Sequence, residues 1–176
     1  TYTVHKGQTL DLQSGTLTVG GGKTLKVEGT MVNTGGLSIV GTMYVDGSFT
    51  NETGGQVLVT SERSLHVNRG GTMVNRGTVT VAGGGNNALL EISGRLTNTG
   101  TAVLGNDGAS GTLSVTDTGV LTNTGTITVR GKSIVLNAGR FENGGRFSDS
   151  ADSDELTGGF TSTGIYTDTR KDNVYA

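Results

Sequence analysis

Residues able to do acid–base or metal chemistry gather in two places along this 176-residue chain. The segment Asp149-Ser150-Ala151-Asp152-Ser153-Asp154-Glu155 carries four carboxylates that could ligate calcium through oxygen. The glycine that lets a helix-loop-helix calcium loop turn sharply is missing, so a solvated acidic loop is the plainer expectation. The second set is dispersed: Lys26, Tyr44, His66 and Glu91 occupy equivalent positions of a repeated strand, where His66 and Glu91 could form an acid–base pair. A polysaccharide-cleaving site would need several carboxylates with Lys or Arg on neighbouring repeats. The six equivalent positions Lys26, Tyr44, His66, Glu91, Ser114 and Val135 supply one carboxylate. This row is therefore a candidate binding face, where an aromatic ring beside hydrogen-bonding groups could contact a glycan or a protein. No catalytic, cofactor-binding or metal-ligating residue is assigned, and no cofactor is expected. The glycine runs 83–85 and 105–111 lack the Lys-Ser pair and following helix of a phosphate cradle.

The elements that position these residues are set by a repeat. Gly-x-[Met/Phe/Leu]-x-Asn opens at Gly29, Gly47, Gly71, Gly94, Gly119 and Gly139, in steps of 18, 24, 23, 25 and 20 residues. Self-similarity near two dozen residues marks a solenoid in which each repeat is one coil. Around each motif lie short alternating runs, such as Leu65-His66-Val67 before it and Thr78-Val79-Thr80-Val81 after it, which read as strands. The expected fold is all-β, a single-chain parallel β-helix (β-solenoid) with three short strands per coil, about seven coils and terminal caps.

Alternation sends one file of each strand inward. The first file is Leu25, Met43, Leu65, Leu90, Leu113 and Ile134; the second is Met31, Phe49, Met73, Leu96, Leu121 and Phe141. A third runs through Leu37, Val57, Val79, Ala102, Ile127 and Phe147. Such a narrow column is filled even though only 32% of residues are apolar. The asparagines Asn33, Asn51, Asn75, Asn98, Asn123 and Asn143 lie two positions after the second file, so they also point inward. A buried amide needs partners, and a stack of identical amides supplies them, as an asparagine ladder. Asparagine and the glycine that follows also tolerate the left-handed backbone of a tight turn.

Residues 1–176 read as one domain, with an N-terminal cap at 1–12, coils over 13–147 and a C-terminal cap or linker at 148–176. Tyr2 and Val4 are placed to cover one end, and Phe160, Ile165, Tyr166 and Tyr175 the other. Length differences among coils fall at Thr60 to Arg63, Gly83 to Asn87 and Gly105 to Gly111, which should protrude as loops from one corner. The net charge is −2 with basic residues scattered singly, so no nucleic-acid or membrane-surface footprint is present. No stretch is long and apolar enough for a bilayer-spanning helix. The absence of cysteine is compatible with export.

Phrases such as Leu96-Thr97-Asn98-Thr99-Gly100-Thr101 and Leu121-Thr122-Asn123-Thr124-Gly125-Thr126-Ile127-Thr128-Val129 resemble repeats of bacterial surface adhesins, of the filamentous-haemagglutinin and autotransporter passenger types. The resemblance spans roughly Leu10 to Phe147. It implies a right-handed parallel β-helix carried outside the cell, adhesive or acting as a stalk, with a host or neighbouring-cell glycan or protein as partner and adjacent domains in a longer chain. Phage tail appendages and polysaccharide-active β-helix enzymes carry similar repeats. Ice binding is a further alternative, since Thr78 with Thr80 and Thr126 with Thr128 form Thr-x-Thr pairs, interrupted by Gln56, Leu58, Val103 and Arg146.

Overall fold

The computed structural model describes residues 1–60, 62–84, 88–106, 108–151 and 158–168. Three parallel sheets wrap one apolar column. The first contains Tyr2–Val4, Thr24–Val27, Thr42–Val45, Ser64–Val67, Ala88–Ile92, Ala109–Val115 and Ile134–Asn137. The second contains Thr9–Leu12, Thr30–Asn33, Ser48–Asn51, Thr72–Asn75, Arg95–Asn98, Val120–Asn123, Arg140–Asn143 and Gly159–Ser162. The third contains Thr16–Val19, Gly36–Ile39, Gln56–Val59, Thr78–Val81, Thr101–Leu104, Thr126–Gly131, Arg146–Ala151 and Ile165–Asp168. One strand from each sheet, taken in order, makes a coil, giving a β-solenoid of about seven turns with no helix among the described residues.

Stacking is in register from rung to rung. Met31 lies over Leu10 and under Phe49, then Met73, Leu96, Leu121 and Phe141 follow. Four-residue strands in which half-buried and buried residues alternate recur throughout, and Thr and Val, whose branched Cβ suits a pleated surface, fill many of them. The inward residues of all three files are buried, with one exception in the first. There Val135, not Ile134, is inward: Leu113 pairs with Val135 and Ser114 with Leu136. Three consecutive apolar residues, Ile134-Val135-Leu136, satisfy alternation in either phase. The corner before them decides, because the buried Ser133 hydroxyl accepts the Gly111 N–H at 3.1 Å and fixes where the strand starts. Asn137 is then buried over Val115.

The motif glycine is required for space, and not for backbone sign. A Cβ on Gly71 would lie 2.0 Å from the Val45 carbonyl oxygen, and one on Gly119 2.0 Å from that of Ile92. At each such corner the backbone passes against the rung beneath, so any side chain collides. The asparagines are not left-handed either; among the described residues Glu62 is the one non-glycine with positive φ.

The N-terminal end departs in part from expectation, and the C-terminal end is covered by two of the expected residues, Phe160 and Tyr166. Tyr2–Val4 and Thr9–Leu12 are themselves paired strands of the lowest rung, with Val4 buried and Tyr2 62% exposed. Leu10 and Leu12 are half-buried there, and a recess of about 500 Å³ is lined by Tyr2, Leu10, Leu17 and Leu25. At the other end the strands resume past 148: Phe160 lies over Phe141 at 5.1 Å and Tyr166 over Phe147 at 5.2 Å, forming an aromatic lid. Ile165 is 53% exposed and takes no part in it. Tyr175 lies outside the described residues. Each insertion falls between a third-sheet strand and the next first-sheet strand, hence at one corner. In one of them Gly83–Gly84 pairs antiparallel with Ala109 and Ser110.

Candidate functional site

The outward row of the first sheet runs Thr3, Lys26, Tyr44, His66, Glu91, Ser114 and Leu136, each directly over the last. Parallel in-register pairing places equivalent side chains about one strand spacing, roughly 4.8 Å, apart. Residues 18 to 25 positions apart in sequence thus become neighbours, as Lys26 with Tyr44 and His66 with Glu91. Lys26, Tyr44, His66 and Glu91 form one continuous line on four successive rungs.

Contacts within the line are specific. The Tyr44 and His66 rings stack at 5.0 Å between centroids and 19° between planes. His66 Nδ1 lies 3.1 Å from Glu91 Oε1. Lys26 Nζ reaches Glu28 Oε1 at 2.8 Å and Asp46 Oδ2 at 3.6 Å. Asp46 is braced from the rung above, where Asn68 Nδ2 donates to Asp46 Oδ1 at 2.8 Å. The hydrogen bond and charge of Lys26 hold the Glu28 carboxyl below its ordinary value of 4.5, and Glu28 in turn raises the Lys26 amine above 10.5.

These contacts define what the row offers a partner. One face of each aromatic ring is covered by the other, so neither ring offers that face to a partner. The Glu28 and Asp46 carboxylates are committed to Lys26. Over these four rungs the row is a polar, hydrogen-bonding ridge with a cation, Lys26, at one end and a carboxylate, Glu91, at the other. Glu28 and Asp46 escaped sequence reasoning because they sit at corners; the signal was the acid immediately before a motif glycine, in Glu28-Gly29 and Asp46-Gly47.

The second set of named residues lies inside. Asn33, Asn51, Asn75, Asn98, Asn123 and Asn143 are all buried, and each of the first five donates from Nδ2 to Oδ1 of the next at 2.7–2.8 Å. The second N–H of each amide goes to the first carbonyl of the third-sheet strand one rung up: Asn75 to Thr101 at 3.0 Å, Asn98 to Thr126 at 3.1 Å. Asn143 ends the column on Ser162 Oγ at 3.0 Å. Each asparagine thereby ties the corner together both along and around the rod.

Of the acidic stretch 149–155, Asp149 is a buried member of the third sheet and residues 152–155 lie outside the described residues. Among the described residues no group of three or more His, Asp or Glu could hold a metal ion. In the third sheet Thr78, Thr101 and Thr126 align, with Gln56 below and Arg146 above; beside them Thr80, Val103 and Thr128 stand over Leu58.

Residues 2–147 match the family described as the BigA fourth domain. The chain belongs to that family. The match covers the coils up to Phe147 and includes every residue of the outward row and of the amide column. No curated protein and no solved structure matches the chain.

Proposed function

We propose that the chain is a non-catalytic structural and adhesive segment of an exported bacterial surface protein, presenting a rigid face and corner loops to a glycan or protein outside the cell. The observation that carries this reading is the unbroken register of the outward row Lys26–Tyr44–His66–Glu91 on the stacked backbone. A scaffold whose rungs are hydrogen-bonded along their length holds a ligand-contacting row without ordering it on binding, so little of the interaction energy is spent on conformational entropy. Family membership supports the reading, as do the adhesin-like repeats of the sequence. No step of it involves bond making or breaking, and no cofactor is needed.

A glycan array combined with a whole-cell adhesion assay tests the proposal. Tyr44→Ala, checked by circular dichroism for an intact fold, is expected to weaken binding. Unchanged binding would remove this face from the account.

A further inference from the structure

From Asp46–Gly47 onward, corner length alternates where the first sheet passes the chain to the second. Asn68–Gly71 and Thr116–Gly119 are long corners, and the rung between them turns in the two residues Ser93 and Gly94. A short corner between two long ones sits back, leaving a notch of about 230 Å³ lined by Arg69, Gly71, Thr72, Ser93, Arg95 and Thr118.

Its charge is uncompensated. Elsewhere, Arg76 pairs with Glu52 at 2.8 Å at the next corner and Arg140 pairs with Glu142 on the second sheet. Arg69 and Arg95, both exposed, have no carboxylate partner among the described residues. Asp117 stands on the upper corner without lining the notch. The hydroxyls are already oriented: Thr118 Oγ1 donates to the Ser93 carbonyl at 2.9 Å, and Ser93 Oγ accepts from Thr116 Oγ1 at 3.1 Å. Thr72 offers a further hydroxyl from the strand below Arg95.

We propose that this notch binds one anionic sugar residue of a glycan. The guanidinium groups of Arg69 and Arg95 take its carboxylate or sulfate, since a planar fork of donors matches either group. Thr72, Ser93 and Thr118 take its ring hydroxyls. The single apolar wall, Val120, and the absence of an aromatic ring among the lining residues fit a small hydroxylated ligand better than a peptide, which would need an apolar anchor. The proposal deepens the reading of the chain as an extracellular binder, but it uses a different face from Tyr44.

The test is calorimetric titration at low ionic strength with trigalacturonate, a heparin-derived sulfated disaccharide, neutral maltotriose and triglutamate. Binding of either anionic sugar, carboxylated or sulfated, with none of maltotriose, is expected. Arg69→Gln and Arg95→Gln should each weaken it roughly tenfold. Val120→Trp, which fills the notch, should abolish it with the thermal transition unchanged. Arg130→Gln, on a third-sheet strand, and Tyr44→Ala should leave it intact, which separates this proposal from the Tyr44 face. Failure of both anionic sugars to bind, equal binding of triglutamate, or an Arg130→Gln loss as large as that of Arg95→Gln would overturn it.

Discussion

Two rows of side chains climb the same stacked backbone, one inside the second sheet and one outside the first. The inner row is six identical amides at one spacing, bonded head to tail. The outer row is a lysine, a tyrosine, a histidine and a glutamate, each bonded to whichever neighbour its chemistry allows. Their backbone geometry is the same, so the contrast comes from solvent. An inner polar group finds partners only in the rungs above and below, and sameness is the one arrangement that satisfies every rung. An outer group has water as an alternative partner, so any sequence is tolerated there. In-register stacking thus makes the interior repetitive and leaves the exterior free for recognition.

Breaking the inner row should have the largest effect. Asn98→Leu leaves the Asn75 amide without its acceptor and Asn123 Oδ1 without its donor, both buried. Leaving two such groups unsatisfied should destabilise the fold by about 2–5 kcal/mol, read by urea unfolding. Asn33→Leu sharpens the comparison. Asn33 Oδ1 is buried with no hydrogen-bond partner among the described residues, because Leu12 and not an asparagine lies beneath it. Its replacement should therefore cost about half as much as that of Asn98.

The outer row should respond weakly. His66→Ala removes a ring stack and a half-exposed contact to Glu91, and should lower stability by less than about 1 kcal/mol in the same assay. A loss as large as that from Asn98→Leu would erase the distinction between the two rows. Smallest of all is the Lys26–Glu28 contact. The depressed Glu28 carboxyl contributes above its ordinary value of 4.5 and loses that contribution as pH falls through its lower folded value. The raised Lys26 amine contributes below 10.5 and loses it as pH rises through its higher folded value. A side-chain NMR titration should find the Glu28 midpoint below 4.5, returning toward it in Lys26→Met.

The same contrast explains what could be read from the sequence. Inner positions are forced to repeat, so Gly-x-[Met/Phe/Leu]-x-Asn exposed the coil, the three files and the amide column. Legibility failed where the repeat loosens. Ile134-Val135-Leu136 admits two phases, and a buried serine at the preceding corner selects one. Segments at both ends depart from the motif, yet their backbones pair in register. The outer row was legible as a row, since alternation fixes which residues face out. Its corner partners Glu28 and Asp46 were not, and neither was the notch at Ser93–Gly94, which arises from the relative lengths of three corners far apart in sequence.

Hydrogen exchange of the asparagine side-chain amides tests most directly that equivalent residues stack into a closed, bonded column. Nδ2 protons of Asn51, Asn75, Asn98 and Asn123 should be strongly protected, while those of the exposed Asn106 exchange freely. Exchange of all of them at the Asn106 rate in the folded protein would contradict the account.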